Sequence, residues 1–543
     1  MRVPLLLAGL LLALAPATAQ TAPDEPVFSA AEVRKHVTFL ADDKLEGRDA
    51  GTPGHETAAR YVAEQFAALG LKPGGDDQGW YQQVSFAEYS LDDRRPATLR
   101  VGKSSFANGE DVLIAPSPRF GSTTQTVTGD AVFVAYGRED DYAGLELRGK
   151  FAVMLIGAPE GMPADASARL NRSRGTIAAK HGAIGILYLL SPHDEMQWEV
   201  VSNPVLQDAH KWLSKEGFPD GQDPGVKIGA YLNATAAAAL FKGSQASAAR
   251  LFATASLPDV KLDRFALKQR VSLERTSIVR TYRSPNVIGV LPGADLALAD
   301  EYVVLSAHLD HIGQDPHLPG DKIDNGAMDN AAGVATMLEA ARAFATAKNK
   351  PKRSILFVAL TAEEDGLLGS SYLAQHPVIG PGKLVADVNL DMPILLYDFQ
   401  DVIAFGGEHS TMGEIVARAG ARMGVTVSPD PMPEEQFFVR SDHFNFVKAG
   451  VPSIFLMTGF KNGGEKAFRD FLANHYHQPS DQLDLPFNWE AGAKFARLNY
   501  WIAREVADAT EAPRWYEGNR FGDRYAPGAP RARRPKVLAE PIN

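Results

Sequence analysis

The stretch Ser354-Ile-Leu-Phe-Val-Ala-Leu-Thr-Ala-Glu-Glu-Asp-Gly-Leu-Leu-Gly-Ser370 sets two adjacent carboxylates at the end of an unbroken apolar run. A run this short, closed by a glycine-containing turn, reads as a strand buried on both faces. The same texture recurs in NVIGVLPG from Asn286, YVVLSAH ending at His308, LVADVNLDM from Leu384 and SIFLMTG from Ser453, with a helical pattern from Asn330 to Phe344. Buried strands alternating with helices predict an α/β fold, a mostly parallel sheet sandwiched by helices.

Working outward, the strand ends collect chemistry. His308 follows VVLSA, Glu363 and Glu364 follow ILFVALTA, and Asp391 follows LVADVNL, so all four emerge at carboxyl ends of neighbouring strands. Open α/β sheets bind ligands at that edge. Asp329, in AMDNAAG, opens the following helix, and His477, in YHQPSD, lies in a loop after the last core strand.

Imidazole and carboxylate donors together suit zinc, with cobalt or manganese as substitutes; magnesium or calcium would call for oxygen-only shells. One arrangement accommodates two ions. Asp329 bridges, His308 and Asp391 complete the first, Glu364 and His477 the second, and a shared hydroxide is the nucleophile. Consecutive side chains of a strand point apart, so Glu363 is left as general base. Tyr476 is placed to donate to a developing oxyanion. Asp310 and Asp481 are expected to orient His308 and His477, and Asp442 to touch a substrate amino group. His311, His317, His409, His443 and His475 read as loop or structural residues. Ser441-Asp442-His443 is not read as a nucleophilic triad, whose members meet from different elements.

Composition bounds the remainder. The 543 residues, 45% hydrophobic and 22% charged, form ordinary globular material, and the net charge of −11 predicts no nucleic-acid partner. Cysteine is absent, which removes disulfides and thiolate ligands. Residues 1–19, with Arg2, an apolar run from Leu5 and Ala17-Thr18-Ala19, read as a cleaved signal peptide rather than a membrane anchor, so the chain is expected to be secreted or periplasmic with no stable membrane insertion. The catalytic domain is assigned to 28–96 and 266–512, interrupted by a β-rich insertion at 97–265, and 513–543 form a partly flexible tail.

With these motifs in place, the chain resembles the MH-clan co-catalytic zinc aminopeptidases, the secreted bacterial leucyl-type enzymes whose wider relatives include glutamate carboxypeptidase II. The resemblance implies the zinc ligands His308, Asp329, Glu364, Asp391 and His477, the base Glu363, a cis peptide between Asp329 and Asn330, and two zinc ions per chain. The insertion, with GDAVFVAYG, DYAGLELRGKFAVMLIGAP and AAKHGAIGILYL, resembles a protease-associated domain. No large helical dimerisation domain follows the last ligand, which favours a monomer. The reading is a metallo-aminopeptidase acting on peptides with a free N-terminus. The alternatives are a carboxypeptidase or dipeptidase, with Arg440 and Lys461 reading a substrate carboxylate, a glutaminyl cyclase, and a binding protein without catalysis.

Overall fold

The computed structural model describes residues 25–117, 123–159, 161–162, 164–191, 209–221, 226–257 and 261–535. The segment read as a signal peptide lies outside the described residues.

The central sheet runs Tyr81–Leu91, Val271–Leu291, Ser354–Leu360, Glu301–His308, Lys383–Leu390, Ser453–Thr458, Asp401–Phe405, Thr426–Ser428. Its middle four strands, from Ser354–Leu360 to Ser453–Thr458, are parallel, as their continuous apolar texture requires. Antiparallel pairing flanks them, so the sheet is mixed: Val271–Leu291 pairs antiparallel with both of its long neighbours, and Asp401–Phe405 with Ser453–Thr458.

Alternate residues of each core strand feed two apolar clusters. Val303, Leu305, Ile355 and Phe357 pack beneath helices Ala30–Leu40, Pro53–Ala68, Gly333–Thr346 and Trp489–Asp508. Val304, Leu356, Val358 and Leu360 point the other way, against Leu373 and Phe446 of the helices Leu368–Gln375 and His443–Lys448. Each such side chain, when fully buried, contributes about 1.5–3 kcal/mol. Local chemistry sets the helix starts: Thr52 accepts the His55 amide at 3.3 Å and Pro53 opens the helix it caps.

A second, six-stranded sheet is built from Val112–Ile114, Ala131–Phe133, Phe151–Leu155, Gly185–Leu189, Ile228–Leu232 and Phe265–Ala266, while Thr98–Val101, Ser104–Ala107, Thr123–Gly129 and Ala209–Trp212 of the stretch read as an insertion join the central sheet. It has its own apolar core around Phe133, Leu187, Phe241 and Leu273. The 21-residue strand Val271–Leu291 belongs to the central sheet along its whole length, while Val271 and Leu273 at its start also pack into this second core. Past the final long helix, Trp515 and Tyr516 are buried and pair with Arg531 and Ala532.

Candidate metal centre

The parallel core delivers the predicted residues to one edge. His308 ends its strand, Asp391 follows Leu390 directly, and Glu363 and Glu364 stand three and four residues beyond Leu360. Asp329 sits in the irregular turn before helix Gly333–Thr346, where its own φ/ψ (−107°, 91°) and those of Asn330 (−133°, 37°) are non-helical, so the helix begins at Gly333 rather than Asn330. The Asp329–Asn330 peptide is cis. Asn330 fastens this turn, donating to the Leu390 carbonyl at 3.0 Å and accepting from Gly333 N at 3.0 Å. A Cβ on Gly333 would lie 2.0 Å from Asn330 Oδ1 and 2.4 Å from Leu390 O, so only glycine fits.

The two oxygens of Asp329 face different partners. Oδ1 is 3.2 Å from His308 Nε2, which is itself 3.1 Å from Asp391 Oδ1. Oδ2 is 3.4 Å from His477 Nε2, which is 3.2 Å from Glu364 Oε2. His308 Nδ1 lies 3.2 Å from the Asp310 carbonyl, and a carbonyl only accepts. Nδ1 therefore carries the ring proton, and in the neutral imidazole the Nε2 lone pair points at carboxylate oxygens. Such a contact is repulsive in the neutral ring and is relieved by a positive charge at Nε2, whether a proton or a metal ion. His477 Nε2 is likewise buried and out of line for a hydrogen bond to either neighbouring carboxylate.

Electrostatics agrees. Burial disfavours a charged imidazole at His477, yet Asp329 and Glu364 raise it to about 10. At His308 burial is likewise outweighed, by Asp391, Glu363 and Asp329, and its pKa stands well above the ordinary value. Against burial, His308 and His477 hold Asp329 well below the usual carboxylate range. Burial and then Asp329 push Glu364 upward, but His311 and His477 prevail and bring it to about 2. The site concentrates negative charge and attracts positive charge. Nitrogen and oxygen donors in two groups sharing one carboxylate fit a pair of zinc-like cations.

Glu363 differs from its neighbour. It lines the same cleft, but burial, reinforced by Glu364, Asp442 and Asp391 against the pull of His308, holds its pKa well above the usual carboxylate range. Tyr476 stacks on His477 with ring centroids 3.8 Å apart. Burial and the carboxylates of Asp329, Glu364 and Glu363 raise its pKa, so its hydroxyl stays protonated. Met392, Phe437 and Phe455 wall the cleft, whose cavity volume of about 30 Å³ is small for a ligand site, and Arg440 joins the lining. Lys461 lies elsewhere, donating to Thr426 at 2.8 Å.

Several supporting roles differ from the sequence expectation. The Asp310 carboxylate accepts from Glu364 N at 3.2 Å, while His308 uses the Asp310 main chain. Asp481 accepts from Met328 N at 2.8 Å and Asp329 N at 2.9 Å, steadying Asp329 rather than His477. His311, read as structural, is fully buried with Nδ1 2.7 Å from Glu364 Oε1. Ser441 donates to Asp391 Oδ2 at 2.6 Å and accepts from Asn389 at 2.6 Å, a role hidden behind the rejected triad. Asp442 is buried with both carboxylate oxygens lacking a hydrogen-bond partner among the described residues.

An α/β sheet whose strand ends converge on two donor groups sharing an aspartate defines a zinc-peptidase type of domain. Residues 286–502 match the model of Peptidase family M28. Over 107 residues the chain is 41% identical to a protein named probable zinc metalloprotease from Pyrenophora teres f. teres, covering 20% of this chain and 22% of that one. Over 208 residues it is 28% identical to aminopeptidase YwaD of Bacillus subtilis, covering 37% and 40%. The chain thus spans about a fifth of the first of these relatives and two fifths of the second. Its fold is similar to the solved structure of an aminopeptidase from Aneurinibacillus sp. strain AM-1, with a TM-score of 0.52, 22% identity, and coverage of 89% of this chain and 95% of that one.

Proposed function

We propose that the protein is a secreted metallo-aminopeptidase with two zinc ions per chain, removing N-terminal residues from peptides. The observation that carries this reading is the division of Asp329, one oxygen toward His308 and Asp391 and the other toward His477 and Glu364. His308, Asp329 and Asp391 would hold one ion, and Asp329, Glu364 and His477 the other. Zinc bound there supplies Lewis acidity, lowering the pKa of a water and polarising a carbonyl.

The chain's own residues do the rest. Glu363, on the cleft wall and next in sequence to a ligand, takes the water proton and returns it to the leaving amine. The protonated Tyr476 donates to the oxygen that gains charge. Met392, Phe437 and Phe455 present an apolar wall that accepts one terminal side chain and excludes water. The inserted unit, with its separate sheet and core, is read as a protease-associated domain. Secretion rests on the pattern of residues 1–19. Among the described residues no helix is long and apolar enough to cross a membrane.

Arg440 on the cleft wall favours a second reading, a dipeptidase or carboxypeptidase in which the guanidinium meets a substrate carboxylate. Purified protein assayed on aminoacyl nitroanilides and on N-blocked peptides, with and without chelator, separates the two. The aminopeptidase reading expects chelator-sensitive release from free N-termini. Cleavage confined to N-blocked peptides with a free C-terminus would support the second reading and overturn the first. The Glu363→Gln variant is expected to retain zinc while losing turnover by at least about a hundredfold.

A further inference from the structure

The segment Leu45-Glu-Gly-Arg-Asp-Ala-Gly-Thr-Pro-Gly54 carries no ligand, yet it places a charged side chain beneath the metal centre. Arg48 is 1% exposed. Its Nε donates to the Leu309 carbonyl at 2.9 Å, Nη1 to Leu40 O and Asn325 O at 2.5 Å each, and Nη2 to Gly326 O at 3.1 Å. Leu309 directly follows the ligand His308, and Gly326 stands three residues before the bridging Asp329. The main chain joins in, with the Arg48 carbonyl accepting from His311 N at 3.4 Å. Asn325 in turn donates to Ala41 O at 3.1 Å and Asp43 Oδ1 at 2.9 Å.

Close packing makes this a rigid junction. A Cβ on Gly47, whose φ is +74°, would lie 2.3 Å from Gly313 O and 2.6 Å from Asp324 O, so the segment is pressed against the paired arms of the hairpin that joins the His308 loop to the Asp329 loop. All the Arg48 bonds end on carbonyl oxygens. Among the described residues no carboxylate pairs with it directly, and its charge is left to act on the site above. Burial lowers its pKa to about 10, opposed by Asp481, Asp310, Asp329 and Glu364, so it remains a cation at neutral pH.

We propose that Arg48 is the positioning residue of the metal centre, clamping the loop after His308 to the loop before Asp329 so that the donors of both ions are preset at binding distance. A single guanidinium with fanned donors can reach carbonyls from three chain segments at once, which an ammonium cannot. The inference rests on the two-metal reading. It extends that reading to a residue some 260 positions from the ligands it serves.

The test measures zinc affinity of the full chain by competition with a chromophoric chelator. Wild-type protein that fails to take up two zinc ions contradicts the two-metal reading itself. Given that uptake, Arg48→Lys and Arg48→Met are expected to bind zinc at least about tenfold more weakly, the usual cost of losing a residue that orients ligands. Arg353→Met is the control. Arg353 is equally buried and also donates to carbonyls, those of Val506, Ala509 and Thr510, but lies away from the site; its loss should lower the melting temperature without changing zinc affinity. Wild-type zinc affinity in either folded Arg48 variant overturns the proposal. Should neither variant fold, hydrogen exchange on the unaltered protein decides: zinc removal is expected to deprotect 40–48 together with 309–311 and 325–329. Loosening of the ligand loops alone would overturn the clamp.

Discussion

Asp391 shows how one side chain is held in place for the ligand role proposed for it. Its Oδ1 faces His308 while its Oδ2 accepts from Ser441, and Ser441 is itself held by Asn389, whose Oδ1 accepts from Ser306. The chain of short bonds leaves one rotamer for the carboxylate. Ser441→Ala should free it, weakening zinc affinity by about tenfold and lowering kcat/KM to a similar degree with an unchanged circular dichroism spectrum. Zinc affinity equal to wild type would show that Asp391 is fixed by other means. At this scale the convergence of the candidate ligands was legible in the sequence, because His308, Glu363, Glu364 and Asp391 each close an apolar strand. Their partners were not. Hydrogen bonds are made by whichever group arrives, so His308 took the Asp310 carbonyl rather than its carboxylate, and Asp481 turned to the Met328 and Asp329 amides.

Elements convert those choices into geometry. The parallel strands were readable because burial on both faces demands continuous apolar residues, as in Ser354–Leu360. The strand Val271–Leu291 was readable only in its last third, since its middle, paired with Tyr81–Leu91, carries exposed polar residues. Helix Gly333–Thr346 started later than its periodicity suggested, because Asp329 and Asn330 are given to the turn. That junction is sensitive. Gly333→Ala would force a methyl against Asn330 Oδ1 and Leu390 O, so urea denaturation should show a loss of about 2 kcal/mol or more together with reduced zinc content. A loss below about 0.5 kcal/mol would mean that the turn relaxes freely.

Across the whole molecule, buried charge sets the response to pH. His36 and His55 are buried, and burial lowers their pKa to about 4 and about 3. Each stays neutral in the folded chain and takes a proton near pH 6.5 when unfolded. The stability they contribute is therefore complete above about pH 6.5 and is lost as the pH falls toward 4 and 3. Buried carboxyls such as Asp49, raised to about 7 by burial and by Asp365, work in the opposite sense, so the comparison must be made by substitution. Between pH 6.5 and 5, the stability of zinc-free wild type relative to His36→Gln should fall by on the order of 1–2 kcal/mol. A pH-independent difference between the two proteins would exclude a neutral buried His36.

The central sheet and its strand-end loops place two donor groups on either side of one aspartate, and that shared residue carries the proposal. Anomalous X-ray scattering from zinc-loaded crystals, collected on both sides of the zinc edge, observes it directly. Two peaks are expected, one against His308 and Asp391 and one against Glu364 and His477, both touching Asp329. A single peak, or two that do not share Asp329, would contradict it.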